Sequence, residues 1–293
     1  MSSRGSEIGE WRAPGHSAGL LALFQWRFLL KLLVKKELRV RYRGSVLGMA
    51  WSYAKPAVQL TVYYLAMGQF LGLGRAIPSY VVYLFSGMVM INFFNEILNN
   101  TTRSIVMNAP LVGKIYLPRE LFPVSSVWVA FVHVVPQIVV LVVGALLFGW
   151  RPGIIHILAG FAAVIVIGMF ALGIGLAFAA FDVYFRDAEN FVELLMMVAI
   201  WMSPVFYQWT MVAKVLPDWL VTIYQLNPLA MGVELSHYCF WAPTAQVMHT
   251  PSLDIMPDSI GVLAAGSFAV ACAVVLIGQL IFHRLEGHFA QEL

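Results

Sequence analysis

The sequence predicts an all-α integral membrane protein with six transmembrane helices, an N-terminal interfacial amphipathic helix, and re-entrant or gate helices before the last span. Three observations carry this expectation. Of 293 residues, 60% are hydrophobic and only 11% charged, with a mean hydropathy of +0.80. Soluble domains carry about 25% charged residues, so polar surface here is too scarce to coat a water-facing core. Six windows have the length and apolar character that a helix needs to cross a bilayer core of about 30 Å. Finally, Lys and Arg crowd one side of those windows. Long apolar runs exclude disorder and collagen-like repeats. With only Cys239 and Cys272, a disulfide scaffold is excluded as well.

The spans are expected at about 46–71, 80–100, 124–150, 154–181, 191–206 and 260–282, within a transmembrane domain of 46–283. The fourth is too long to stand upright and should tilt, whereas the fifth is short and leans on neighbouring protein. With both termini on one side, fourteen of the eighteen Lys and Arg residues share that side, against three opposite, and Lys55 lies inside the first span. Cytoplasmic termini follow, with a short cytoplasmic tail at 284–293.

Residues 1–45 form a basic cytoplasmic or interfacial segment. Arg27 and Lys31 interrupt its apolar run and no cleavage-like site follows, so it is neither a secretory signal nor a span. On a helix Arg27, Lys31, Lys35 and Arg39 recur every fourth residue as a cationic stripe, with Trp26, Leu29, Leu30 and Leu33 mainly around the other side. Such a helix suits the head-group interface. An orientation signal alone accounts for the same charge.

On the outer side, 207–259 is the long connection and is rich in aromatics. Leu216 to Leu226 and Leu229 to Tyr238 are apolar but too short to cross, and Asn227 and Pro228 separate them. These are expected as half-buried or re-entrant helices capping the outer mouth.

A phosphate-binding loop is lacking: the only Gly-Lys pair, Gly113 and Lys114, has Asn108 where the first Gly should be and Ile115 where the hydroxyl should be. The seven histidines show no metal-ligand spacing, and no nucleophile elbow occurs, so no catalytic or metal residue is assigned. Energy for any work must come from another subunit or from an ion gradient.

Polar residues inside the spans are more informative, because a charged group at the bilayer centre costs about 2.5 to 3.5 kcal/mol on insertion scales. Asn92, Asn95, Glu96, Asn99, Asn100, Thr102 and Arg103 fall within half a helix circumference. They are read as the lining of a polar passage, or as a buried interhelical hydrogen-bond network. His133 and Gln137 flank Pro136 and suit either the passage or a kink. Ala171, Gly175 and Ala179 clear one face of the fourth span for close packing. Most aromatics near span ends fit an interfacial belt, but Tyr63 and Tyr64 lie deeper and are candidate glycan contacts.

Five strings together resemble the membrane subunit of polysaccharide ABC exporters of the O-antigen and teichoic-acid type. They are RYRGSVLGMAWSYAKP from Arg41 to Pro56, IYLPRELFPVSSV from Ile115 to Val127, DVYFRD from Asp182 to Asp187, SPVFY from Ser203 to Tyr207, and NPL from Asn227 to Leu229. Lys55 stands where that family is expected to have Asn. The resemblance implies a pore-forming subunit in a bacterial inner membrane, built from two copies of this chain and driven by two copies of a separate cytoplasmic ABC ATPase. ATP and Mg would bind to that partner, no cofactor to this chain, and no nucleic acid is expected. The substrate implied is a lipid-linked polysaccharide moved outward among membrane lipids; teichoic acid, O-antigen and actinobacterial galactan all fit.

On that footing Arg27, Lys31, Lys35, Arg39, Arg41 and Arg43 are expected to attract the substrate head group. Asn92, Asn95, Glu96, Asn99, Tyr63 and Tyr64 are expected along the path. Lys114, Arg119, Glu120, Asp182, Arg186 and Asp187 are expected to couple to the ATPase, or to be structural turns and solvated charges. A secondary transporter would need more intramembrane carboxylates than Glu96 and Glu193 and often repeated halves. A membrane-embedded glycan-processing enzyme would need a convergent acid, base or metal set.

Overall fold

A computed structural model describes residues 23–113, 117–250, 256–257 and 259–293. Among the described residues the fold is helical throughout, with no strand. Among the described residues nine α-helices of nine or more residues organise it: α1 (Arg27–Arg41), α2 (Trp51–Tyr63), α3 (Tyr80–Arg103), α4 (Leu121–Leu147), α5 (Ile154–Tyr184), α6 (Ala188–Ala199), α7 (Asp218–Leu226), α8 (Pro228–Phe240) and α9 (Ile260–Leu285).

Four of these, α3, α4, α5 and α9, are long and apolar enough to cross a membrane. The windows expected as first and fifth spans are organised differently. In the first, α2 begins after a 3₁₀ turn at Gly48–Ala50, carries Pro56, and runs into a π-helical segment, Tyr64–Phe70. Gly72, at φ 76°, ends that segment in the left-handed region, where a side chain would be strained. In the fifth, α6 stops at Ala199 and the chain turns through Ser203–Tyr207. The Ser203 hydroxyl donates to the carbonyls of Ala199 and Ile200 at 3.0 and 3.3 Å and closes the helix end.

At the centre stands α3, with 78% of its apolar window buried, whereas only 11% of the window in α9 is buried. The reason is side-chain size and shape. Within α3, Phe93, Phe94, Ile97 and Leu98 are enclosed by α4, α5 and α8. Between apolar helices in lipid there is no hydrophobic driving force, so close packing must hold them together. The long α5 supplies it with small residues. Gly175 lies against Thr101 of α3, Ala171 and Ala179 are wholly buried, and Gly173 meets the backbone of α9 at Val274 and Val275.

Between the long helices, α7 and α8 are separated at Asn227 and Pro228. The Asn227 side chain accepts from the Leu229 N–H at 3.1 Å and caps α8, whose first turn tolerates Pro228 because no N–H is needed there. Most of α8 is buried against α3 and α5, whereas α7 has no fully buried residue. At the opposite end of the bundle, α1 packs on α4. Leu33 is buried there, with Trp26 and Leu30 against the same apolar cluster, while Arg27, Lys31, Lys35 and Arg39 face outward.

Candidate functional site

The polar residues of α3 do not merely pair among themselves. They form one wall of a cavity of about 520 Å³ between α2, α3 and α4, with the end of α1 and Met196 of α6 at its margin. Asn92, Asn95, Glu96, Asn99, Asn100 and Arg103 share this wall because they recur at helical spacing while the opposite face holds bulky apolar side chains. Facing them, α2 contributes Trp51, Ser52, Lys55 and Gln59, and α4 contributes His133 and Gln137.

Glu96 organises the cavity. Its Oε1 accepts from Asn100 Nδ2 at 2.7 Å, lies 3.0 Å from His133 Nδ1, and is ion-paired with Arg41 Nη1. Arg41 is also 3.0 Å from His133 Nδ1. One carboxylate oxygen therefore joins α1, α3 and α4. Beside it, Asn92 Nδ2 donates to Gln137 Oε1 at 3.3 Å, and Gln137 Nε2 donates to the His133 carbonyl at 3.3 Å next to Pro136. Gln137 thus serves both the polar wall and the backbone around the proline.

Charge in the cavity is unevenly matched. Arg41 is paired with Glu96, and Arg103 reaches Glu189 at 3.0 Å and Glu193 at 3.4 Å, which ties α3 to α6. Among the described residues Lys55 forms no ion pair. The lining consequently carries more positive than negative charge and many neutral amides, a surface that accepts hydroxyl-rich and anionic groups. Among the described residues no group of three or more His, Cys, Asp or Glu is placed to hold a metal ion.

A model of the ABC-2 type transporter family matches residues 29–241. The chain belongs to that family. It is also similar to two O-antigen export system permease proteins RfbA of Klebsiella pneumoniae, 31% and 30% identical over 90% of this chain and 95% of theirs. A third relative, the O-antigen export system permease protein RfbA of Myxococcus xanthus, is 28% identical over 63% of this chain and 70% of its own.

Within this ABC-2 chain, the expected path residues divide into two groups. Asn92, Asn95, Glu96 and Asn99 line the cavity. Tyr63 and Tyr64 do not: the ring of Tyr63 meets Phe206 edge-on at 4.9 Å, and Tyr64 lies 6.5 Å from Tyr80 and accepts from Gln69 at 3.0 Å. Of the expected head-group cations, only Arg41 reaches the cavity, while Arg43 is exposed beyond the end of α1.

The expected coupling residues also separate. Lys114 lies outside the described residues. Arg119 sits over the Phe289 ring, 5.6 Å from its centroid. Glu120 is wholly buried and accepts from Gln279 Nε2 at 3.2 Å, joining the start of α4 to α9. Asp182 is buried as well, whereas Arg186 and Asp187 are exposed between α5 and α6.

Sequence reasoning gave Lys55, Gln59 and Met196 no role and counted Trp51 among the aromatics near span ends that suit an interfacial belt, although all four help to line the cavity. A signal was present. Ser52, Lys55 and Gln59 are three and four residues apart, the spacing of one helix face, inside an otherwise apolar window.

Proposed function

We propose that this chain is the pore-forming permease subunit of an ATP-driven polysaccharide exporter, moving a lipid-linked glycan from the cytoplasm to the outer face of a bacterial cell membrane. The observation that carries the reading is the polar cavity on α3, set among apolar helices in a chain similar to O-antigen export permeases. A glycan cannot pass through hydrocarbon without replacement of its hydrogen bonds to water. Amides, a carboxylate and guanidinium groups in the cavity wall supply such replacements.

In this reading both termini are cytoplasmic and the chain crosses six times, with α2 and its π-helical extension as the first crossing and α6 with the following turns as the fifth. Two copies related by a two-fold axis form the pathway, since no internal repeat supplies the second half. The exposed cations of α1 gather the anionic end of the substrate, and Arg41 and Lys55 receive it at the cavity. A separate ABC ATPase, two copies per transporter, supplies the energy. It engages the link between α3 and α4 and the exposed Arg186 and Asp187. Buried Glu120 carries movement of the first link into α9.

The test is transport in sealed vesicles containing the chain with or without its ATPase subunit. ATP-dependent movement of a lipid-linked glycan is expected only when both are present. Equal movement without the ATPase, or none with it, would falsify the assignment.

A further inference from the structure

Away from the cavity, Glu234 and His237 stand one turn apart on α8, their side chains 6% and 0% exposed. The imidazole is held in place. Tyr83 stacks on it at 3.8 Å between ring centroids, with 20° between the planes, and Trp241 meets it edge-on at 6.4 Å. Its Nε2 lies 3.1 Å from the main-chain carbonyl oxygen of Tyr83. A carbonyl only accepts, so Nε2 carries a hydrogen.

That assignment decides what Nδ1 can be. It faces Glu234 Oε2 at 3.8 Å, and neither Nδ1 nor Glu234 Oε1 has a hydrogen-bond partner among the described residues. If Glu234 is ionised and His237 neutral, two acceptors confront each other and the buried pair bears one uncompensated negative charge. No Lys or Arg among the described residues is ion-paired with it. One additional proton, on Nδ1 or on the carboxylate, removes the repulsion and makes the pair neutral overall.

Neighbouring elements offer no other source of neutralisation. The titratable groups interacting with the pair are hydroxyls: Tyr83 on α3, Tyr207 on the link, and Tyr224 on α7, with Tyr80 stacked behind Tyr83. Burial raises the pKa of Tyr224, so it remains neutral. From α5, Ile167 packs on Gly232 of α8, while His156 lies against Tyr238, and Asp182 and Tyr184 belong to the last turn of α5. On α9 the titratable groups are Cys272, His283, held by Glu286, and Arg284; on α4 the titratable side chain is His133, held by Glu96.

We propose that Glu234 and His237 form a proton-binding site that holds one shared proton while α8 is seated against α3, and that release of this proton unseats α8. The device lies outside the cavity. Tyr83 links it to the chain turn after α6, because its hydroxyl donates to the carbonyls of Pro204 and Tyr207 at 2.9 and 2.6 Å. Tyr83 of α3 thus touches both the His237 ring and the Ser203–Tyr207 turn.

The experiment uses the full chain assembled with its ATPase subunit in lipid nanodiscs. Infrared difference spectra against Glu234→Gln and nitrogen NMR of labelled histidine report whether a protonated carboxyl or an imidazolium is present at neutral pH. Amide hydrogen exchange, corrected for intrinsic rates, reports the seating of α8. One proton on the pair is expected, released on alkalinisation together with at least a tenfold loss of protection in α8. Glu234→Gln, which cannot ionise, should retain its protection. An ionised Glu234 beside a neutral His237 at neutral pH overturns the proposal, and the wild-type spectra decide this even if the variant fails to fold. Proton release that leaves α8 protected overturns it too.

Discussion

Arg41, the last residue of α1, is ion-paired with Glu96 in the second half of α3, and His133 of α4 is bonded to the same carboxylate oxygen. This contact fixes the peripheral α1 to the polar wall. The Arg41 side chain is 40% exposed and that of Glu96 24%, so solvent screens the pair. Arg41→Ala and Glu96→Ala should each cost about 1 kcal/mol, with a coupling of about 0.5 kcal/mol between them in a double-mutant cycle. Thermal unfolding of the four proteins measures it. Export should fall in both single variants and partly recover in the charge-swapped Arg41→Glu/Glu96→Arg protein; independent effects would show that the pair is not a unit.

A second prediction concerns the crossing of α5 and α9. At Gly173 an added Cβ would stand 2.6 Å from Val275 N and 2.7 Å from Val274 C, both backbone atoms that cannot rotate away. The helices must then separate. Gly173→Ala should destabilise the chain by about 3 kcal/mol, at the upper end of overpacking costs. Gly144→Ala on α4 is the control, because nothing lies within 4 Å of its Cβ position. Its effect should be neutral or stabilising by about 0.5 kcal/mol. Equal melting temperatures for the two variants would contradict this account of the interface.

How far the fold could be read in advance depended on which signal a helix carried. Four long apolar helices were legible, because hydropathy over about 20 residues is a strong pattern. The break between α7 and α8 was legible too, since Asn227 and Pro228 carry capping chemistry. That Asn92, Asn95, Glu96 and Asn99 share one face of α3 was legible through helical spacing alone. Missing were the facts that require a second helix. Nothing local to Glu96 says that Arg41, rather than Arg43, will meet it, and nothing local to Glu120 says that Gln279 will enclose it. Tyr63 and Tyr64 show the same limit, because depth along a helix does not fix which neighbour a ring meets.

Glu37 should make the seating of α1 dependent on pH. It receives a hydrogen bond from Ser125 of α4 at 3.2 Å, yet burial raises its pKa, outweighing that bond and the charges of Lys36 and Arg41. A carboxyl whose pKa is higher in the folded state stabilises the fold most below its unfolded pKa. That contribution is lost as pH rises through the raised folded value. Protection of α1 amides, corrected for intrinsic exchange, should therefore increase from pH 7 to pH 4. Glu37→Gln should flatten the profile. An identical profile in the variant would place the pH response elsewhere.

Among the described residues Lys55 lines the cavity without an ion pair, while Arg41 and Arg103 are already matched by carboxylates. Under the proposed export function it is, among the described lining residues, the cation left to meet an anionic group on the substrate. One charge-assisted hydrogen bond amounts to about 1.5 to 3 kcal/mol, so Lys55→Gln should raise the KM for the proposed anionic lipid-linked glycan about tenfold or more. The effect on kcat should be small, because the contact forms on binding, and Lys55→Arg should restore most of the affinity. Transport kinetics in vesicles with the ATPase present separate the two constants. A fall in kcat alone, not rescued by arginine, would mean that Lys55 acts on helix packing and does not touch the substrate.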